Sequence, residues 1–244
     1  NFPQNPGTLH QPALEKDACG VGVIAQIEGK RSHAILEHGL VSCCNVMHRG
    51  AMEADGKTGD GSGVLTQIPY KILLPAAEEM GAKLENETDL GVGVFFLPRD
   101  GEGQQKARVL CEGLLRKREI GLIGWREVPI DVEALGEKAK GTMPKIEQIL
   151  VRRPEGASSD RFERALYMTR REIEQKAKEE IPELYIASFS HRTISYKALA
   201  LPPAMRKFYR DLENPEFETA ICLYHQRFST NTFPSWPVGQ PFRM

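Results

Sequence analysis

The chain has 244 residues, 41% hydrophobic and 27% charged, with a formal net charge of −1. That composition is one of a soluble globular protein, and it gives no electrostatic argument for nucleic acid or a membrane surface. No apolar run approaches the ~20 residues needed to span a bilayer. The start lacks a basic region followed by an apolar core, so it is no secretory signal. Five cysteines, at 19, 43, 44, 111 and 222, are odd in number and scattered, which fits a reducing compartment rather than a disulfide framework. The first residue is not Met, and both ends read as cut.

In chain order, residues 1–18 are proline-rich and poor in apolar residues, and read as a loose leader. A buried strand is expected over about 20–28, turned by Glu28-Gly29-Lys30. A helix follows from Ser32, its expected N-cap, to His48. A polar loop carries His48-Arg49-Gly50-Ala51 and Thr58-Gly59-Asp60-Gly61-Ser62-Gly63. A strand over Val64 to Ile68 then leads to a helix over Pro69 to Met80, with Pro69 near its first turn. Gly91 to Leu97 reads as the clearest buried strand.

Gln104 to Glu119 reads as an amphipathic helix with Val109, Leu110, Leu114 and Leu115 on one side. Leu122 to Val128 and a short stretch around Ile146, Ile149 and Val151 read as strands. A long helix capped by Ser159 or Asp160 is expected to reach about Glu180, with Phe162, Leu166, Met168, Ile173 and Ala177 on its apolar face. Leu184 to Phe189 and Thr193 to Tyr196 read as paired strands turned at His191-Arg192. A short helix over Pro202/Pro203 to Leu212 and a last strand over Thr219 to Phe228 complete the pattern. It reads as one α/β or α+β domain with a sizeable sheet core.

Several stretches carry possible chemistry. Cys19 enters the glycine-studded run Cys19-Gly20-Val21-Gly22 at the head of a strand, where the glycines would let a substrate approach the sulfur. A thiol there is either a nucleophile or an inert buried side chain. The Thr58–Gly63 loop lacks the lysine of a phosphate-binding loop and the spacing of a dinucleotide fingerprint. A tight turn that lets backbone pass near another site suits it better. His33, His38, Cys43, Cys44 and His48 cannot all point to one metal, because their spacing scatters them around a helix. Arg126/Glu127 and Arg152/Arg153 read as surface charges. Arg227 ends an apolar strand beside a run of hydroxyl and amide side chains, where it can fork onto a carboxylate or simply pair a surface acid. Phe233 and Trp236, flanked by prolines, are expected to wall a small polar pocket.

Cys19-Gly20-Val21-Gly22, His48-Arg49-Gly50-Ala51, Asp55 to Gly63, His191-Arg192-Thr193 and the run from His225 to Arg243 follow one another in a recognisable order. Together they resemble the amino-terminal glutaminase domain of the glutamate synthase large subunit, a class II glutamine amidotransferase. The resemblance covers residues 19–244 and implies that 1–18 is a leader removed to make Cys19 the first residue. It implies an α+β fold, the N-terminal-nucleophile hydrolase sandwich of two stacked, mainly antiparallel sheets between helical layers. It also implies Cys19 as the nucleophile, its own α-amine as base, and Arg227, with Ser229 and Thr230, as the substrate-binding residues. Glutamine is the implied substrate, and the released ammonia is destined for 2-oxoglutarate.

No cofactor is expected in this chain; FMN and an iron–sulfur cluster are implied for other parts of the full subunit. The implied partners are those other parts, together with a small reductase subunit or ferredoxin. The implied location is cytoplasmic, or the plastid stroma in a photosynthetic eukaryote. In the family a His-Asn-Gly block that supplies the oxyanion hole follows the position of Met244, so the 244-residue chain alone is expected to be a poor glutaminase. Two other readings are a non-catalytic docking domain, marked by failure to react with a glutamine-mimicking electrophile, and another class II amidotransferase, against which the Asn231 to Trp236 extension argues.

Overall fold

A computed structural model describes residues 20–227 and 233–241. Cys19, Ser229 and Thr230, and the leader 1–18, lie outside the described residues. The strands are β1 (Gly20–Ala25), β2 (Ser62–Gln67), β3 (Leu90–Leu97), β4 (Gly121–Glu127), β5 (Lys145–Arg152), β6 (Tyr185–Ser190), β7 (Thr193–Ala198) and β8 (Ile221–Gln226). The helices are α1 (His33–Asn45), α2 (Tyr70–Glu79), α3 (Gly101–Lys117), α4 (Glu137–Thr142), α5 (Ser159–Glu180) and α6 (Pro202–Phe208).

The strands form two four-stranded sheets, ordered β1-β8-β2-β7 and β4-β5-β3-β6. Every ladder is antiparallel. The second sheet is organised by Leu-Gly-Val-Gly-Val-Phe-Phe-Leu of β3, buried along its whole length. Such a run is apolar on both faces because each face meets a different layer. Phe95 and Leu97, with Ile149 and Val151 of β5, pack on Cys111 and Leu114 of α3 and Phe162, Leu166 and Ile173 of α5. Val92, Val94 and Phe96, with Ile146 and Leu150, join a larger core. That core also takes Leu36 and Leu40 of α1 and Val64, Ile194, Tyr196 and Cys222 of the first sheet. Each fully buried side chain of this size contributes about 1.5–3 kcal/mol. The fold is the α+β layered sandwich that the resemblance implies.

Some expectations are corrected. The expected apolar faces of α3 and α5 are buried at Leu114 and Leu115 and at Phe162, Leu166, Ile173 and Ala177, but Val109 is 56% exposed and Met168 46% exposed. The faces are completed by Ala107 and Cys111 in α3 and by Thr169 and Arg170 in α5. Ser158 rather than Ser159 caps α5, its hydroxyl accepting from the Arg161 N–H. β6 and β7 form no ladder with each other: β6 pairs with β3 and β7 with β2, so the turn at His191-Arg192 carries the chain from one sheet to the other. Gly22 does not open space for a ligand. A Cβ there would lie 2.3 Å from the Tyr224 hydroxyl, so that glycine makes room for a cross-strand ring.

Candidate active site

Four of the sequence blocks converge at one end of the first sheet. Gln226, at the end of β8, stands opposite Gly20 on one side and Ser62 on the other. Gly20, the residue after the expected nucleophile, begins β1 beside the end of β8, which stops one residue before Arg227. Asp60, two residues before β2, is buried. Its backbone N–H donates to the Ala51 carbonyl at 3.2 Å. One of its oxygens, Oδ1, accepts from Gln226 Nε2 at 3.3 Å. The other, Oδ2, lies 3.5 Å from Arg227 Nε. A Cβ at Gly50 would fall 1.9 Å from Gln226 Nε2, so a side chain there would displace the amide that binds Asp60.

Arg227 is held by its backbone as well. Its N–H donates to the Gly61 carbonyl at 2.8 Å, and its carbonyl accepts from the Gln240 N–H at 3.4 Å. Arg227 has a φ of 109° and Gly61 a φ of 118°. A non-glycine residue in that region carries strain that the surrounding contacts must hold, a condition concentrated at functional sites. Gly61 packs against Gly239, so the 60–61 turn does bring backbone past a second segment, as its glycines suggested. Burial pushes the Asp60 carboxyl up from its ordinary value, and the nearby Arg227 charge opposes that rise.

Lys197 of β7 ties the 233–241 segment to this end of the molecule. It is fully buried, and its Nζ donates to the carbonyls of Pro237 and Gly239 and to the Tyr185 hydroxyl, each at 2.8 Å. Nothing in the sequence marks it, since an alternating strand position gives no hint that a lysine points inward.

Other expected placements differ. Trp236 is buried against Phe96 and Phe208 and donates its indole N–H to Ala139, while Phe233 is 93% exposed. Trp236 lines a cavity of about 360 Å³ with Phe96, Arg99 and Lys138, but Arg227 is not among its walls. Phe233 is not among its walls either. His191-Arg192-Thr193 does not join the site either. Thr193 pairs with Gln67, at the far end of β2 from Ser62. Arg126 is no surface charge: both its Nη groups donate to Asp211 at 2.8 Å, inside the sandwich. Among the described residues no group of three or more His, Cys, Asp or Glu could hold a metal ion. No helix among them is long and apolar enough to cross a membrane.

Sequence comparison agrees with this geometry. The family of class II glutamine amidotransferases matches residues 19–244, beginning at the cysteine that precedes β1. The chain belongs to the class II glutamine amidotransferases. It is 44% identical to the glutamate synthase [NADPH] large chain of Azospirillum brasilense, over 96% of this chain and 16% of that protein. It is 42% identical to ferredoxin-dependent glutamate synthase 2 of a Synechocystis strain, over 98% of this chain and 15% of that protein. It is 37% identical to the glutamate synthase [NADPH] large chain of Bacillus subtilis, again over 15% of the relative. The chain thus spans about a sixth of the length of the curated relatives it matches.

Proposed function

We propose that the chain is the glutaminase part of a glutamate synthase, releasing ammonia from glutamine for reductive transfer to 2-oxoglutarate elsewhere in a longer protein. The observation that carries the reading is the convergence of Gly20, Asp60, Gln226 and Arg227 at one sheet end. Residues 1–18 act as a leader whose removal frees the Cys19 α-amine. That amine, with an ordinary value of roughly 7.7–8.0, takes the thiol proton and returns it to departing ammonia. The Cys19 sulfur attacks the side-chain amide carbon, forms a thioester as ammonia leaves, and water then releases glutamate. Arg227 receives the substrate α-carboxylate on its planar fork, with the hydroxyls of Ser229 and Thr230 beside it.

FMN and an iron–sulfur cluster would belong to the remainder of the longer protein and supply the electron transfer there. The reductant would arrive from a small reductase subunit or from ferredoxin. The location would be the cytoplasm, or the plastid stroma if the source is photosynthetic.

Mass measurement of the active enzyme's N-terminus tests the processing step, with Cys19 expected first. Full activity with Asp17 and Ala18 still attached would remove the amine from the mechanism. Replacing Cys19 by Ser in the intact enzyme should abolish glutamine-dependent glutamate formation while ammonia-dependent formation persists. Retained use of glutamine would move the nucleophile elsewhere.

A further inference from the structure

The handling of Arg227 raises a separate question, because a guanidinium on a long flexible stem must be aimed before it can take a carboxylate with two parallel hydrogen bonds. The Arg227 side chain is 40% exposed, whereas that of Asp60 is 4% exposed. A buried carboxylate thus meets a half-exposed cation from the protein side. The contact is made to Nε, along the side edge of the guanidinium. A guanidinium can fork onto a carboxylate through this edge or through the end edge formed by its two Nη groups, so a carboxylate set against Nε fixes how the end edge is presented.

Asp60 is itself fixed. Its Oδ1 is engaged by Gln226, its backbone is tied to Ala51, and the next residue, Gly61, accepts the Arg227 N–H. Its Oδ2 has no hydrogen-bond partner among the described residues, and the charge nearest to it is Arg227. A buried carboxylate placed this way adds little to stability, since desolvation offsets most of the attraction. Its value lies in fixing geometry.

We propose that Asp60 is a positioning residue: its buried carboxylate holds the Arg227 guanidinium in the orientation that receives the α-carboxylate of glutamine. This rests on the reading of Arg227 given above. The three blocks of sequence around Ala51, Asp60 and Gln226 then serve one purpose, which is to aim a single arginine.

The test uses the intact enzyme with Asp60→Asn, which keeps shape and an acceptor for Gln226 but removes the charge, and Asp60→Ser, which keeps only a smaller acceptor. Rates are normalised to ammonia-dependent glutamate formation by the same preparation, so that only folded enzyme is counted. Both variants should raise KM for glutamine about tenfold or more, as expected for the loss of a charge-assisted contact, with kcat changed much less. Arg227→Lys is measured in parallel, alone and combined with Asp60→Asn. In the lysine background, Asp60→Asn should add less than threefold, because the fork it aims is already gone. If Arg227→Lys raises KM while both Asp60 variants leave it unchanged, the proposal is overturned and the reading of Arg227 survives. A fall in kcat at constant KM overturns it too. An unchanged KM in Arg227→Lys removes the carboxylate role of Arg227 itself, and the role of Asp60 falls with it.

Discussion

Burial separates the thiols of this chain. Burial pushes Cys43 and Cys222 up to about 12. It also raises Cys111, and it raises the half-buried Cys44. Since the thiolate is the reactive form, these four sulfurs are nearly silent at neutral pH. A chloroketone analogue of glutamine at pH 7.5 should therefore give one adduct within these 244 residues of the native enzyme, in the peptide that begins with Cys19. Peptide mapping checks this, and labelling of Cys43 or Cys222 at a comparable rate would show that the core opens around them. Lys197 makes a different demand. Its ammonium donates to two carbonyls of the 233–241 segment, and replacing it by Met removes both contacts, the one to Gly239 in a buried setting. Lys197→Met should cost about 3 kcal/mol in denaturant unfolding. It should also make residues 233–241 an early site of limited proteolysis; wild-type resistance there would mean the segment is held by other contacts.

Between elements, a closed polar network joins β4, β5 and β7 to the turn that follows α6. Arg126 forks onto Asp211 and donates to Gln148 Oε1 at 2.7 Å. Tyr196 donates its hydroxyl to Asp211 at 2.8 Å and accepts from Gln148 Nε2 at 3.1 Å. Asp211→Ala strands a buried guanidinium and should destabilise by about 3–5 kcal/mol, measured by urea unfolding; a change below ~1 kcal/mol would show that water replaces the carboxylate. Arg126 reads as a surface charge in sequence because Trp-Arg-Glu at a strand end has no periodic mark, and Asp211 lies 85 residues away. The existence of β3, α3 and α5 was legible because long apolar or periodic runs are local signals. The exposure of Val109 and Met168 was not, since by residue type they fit an apolar face as well as Ala107 or Thr169 does. β6 and β7 looked like a hairpin because a short turn joins them, and only the long-range ladders to β3 and β2 place them in different sheets. At the site, Arg227 was legible from its position after an apolar strand, whereas Asp60 sat inside a block whose glycines drew attention to backbone instead of charge.

For the molecule as a whole, two buried histidines set the response to acid. His191 and His225 are 3% and 5% exposed, and the Nδ1 of each has no hydrogen-bond partner among the described residues. Burial lowers both from their ordinary value. At His191 the Glu163 carboxylate pulls the other way, while the Arg192 and Arg153 charges add to the lowering. At His225 the lowering by burial is opposed by a backbone interaction at Arg227. A base whose folded value is depressed binds fewer protons folded than unfolded. Stability is therefore fully present above the unfolded value near 6.5 and falls as pH drops from there toward the folded values. The ceiling is about 1.4 kcal/mol per pH unit for each proton. Asp55, held well below the usual carboxylate range chiefly by the Thr58 hydroxyl, loses its contribution only below about pH 4. Asp60, raised by burial, has the opposite sign: the fold gains as it takes up its proton below its raised value. The denaturant midpoint should thus be flat from pH 8 to 7 and decline from about 6.5 to 5. His191→Asn should remove part of the decline without steepening it. A midpoint constant down to pH 5 would mean that both imidazoles accept protons within the folded sandwich, and that the corner at His191 and the strand end at His225 open readily to water.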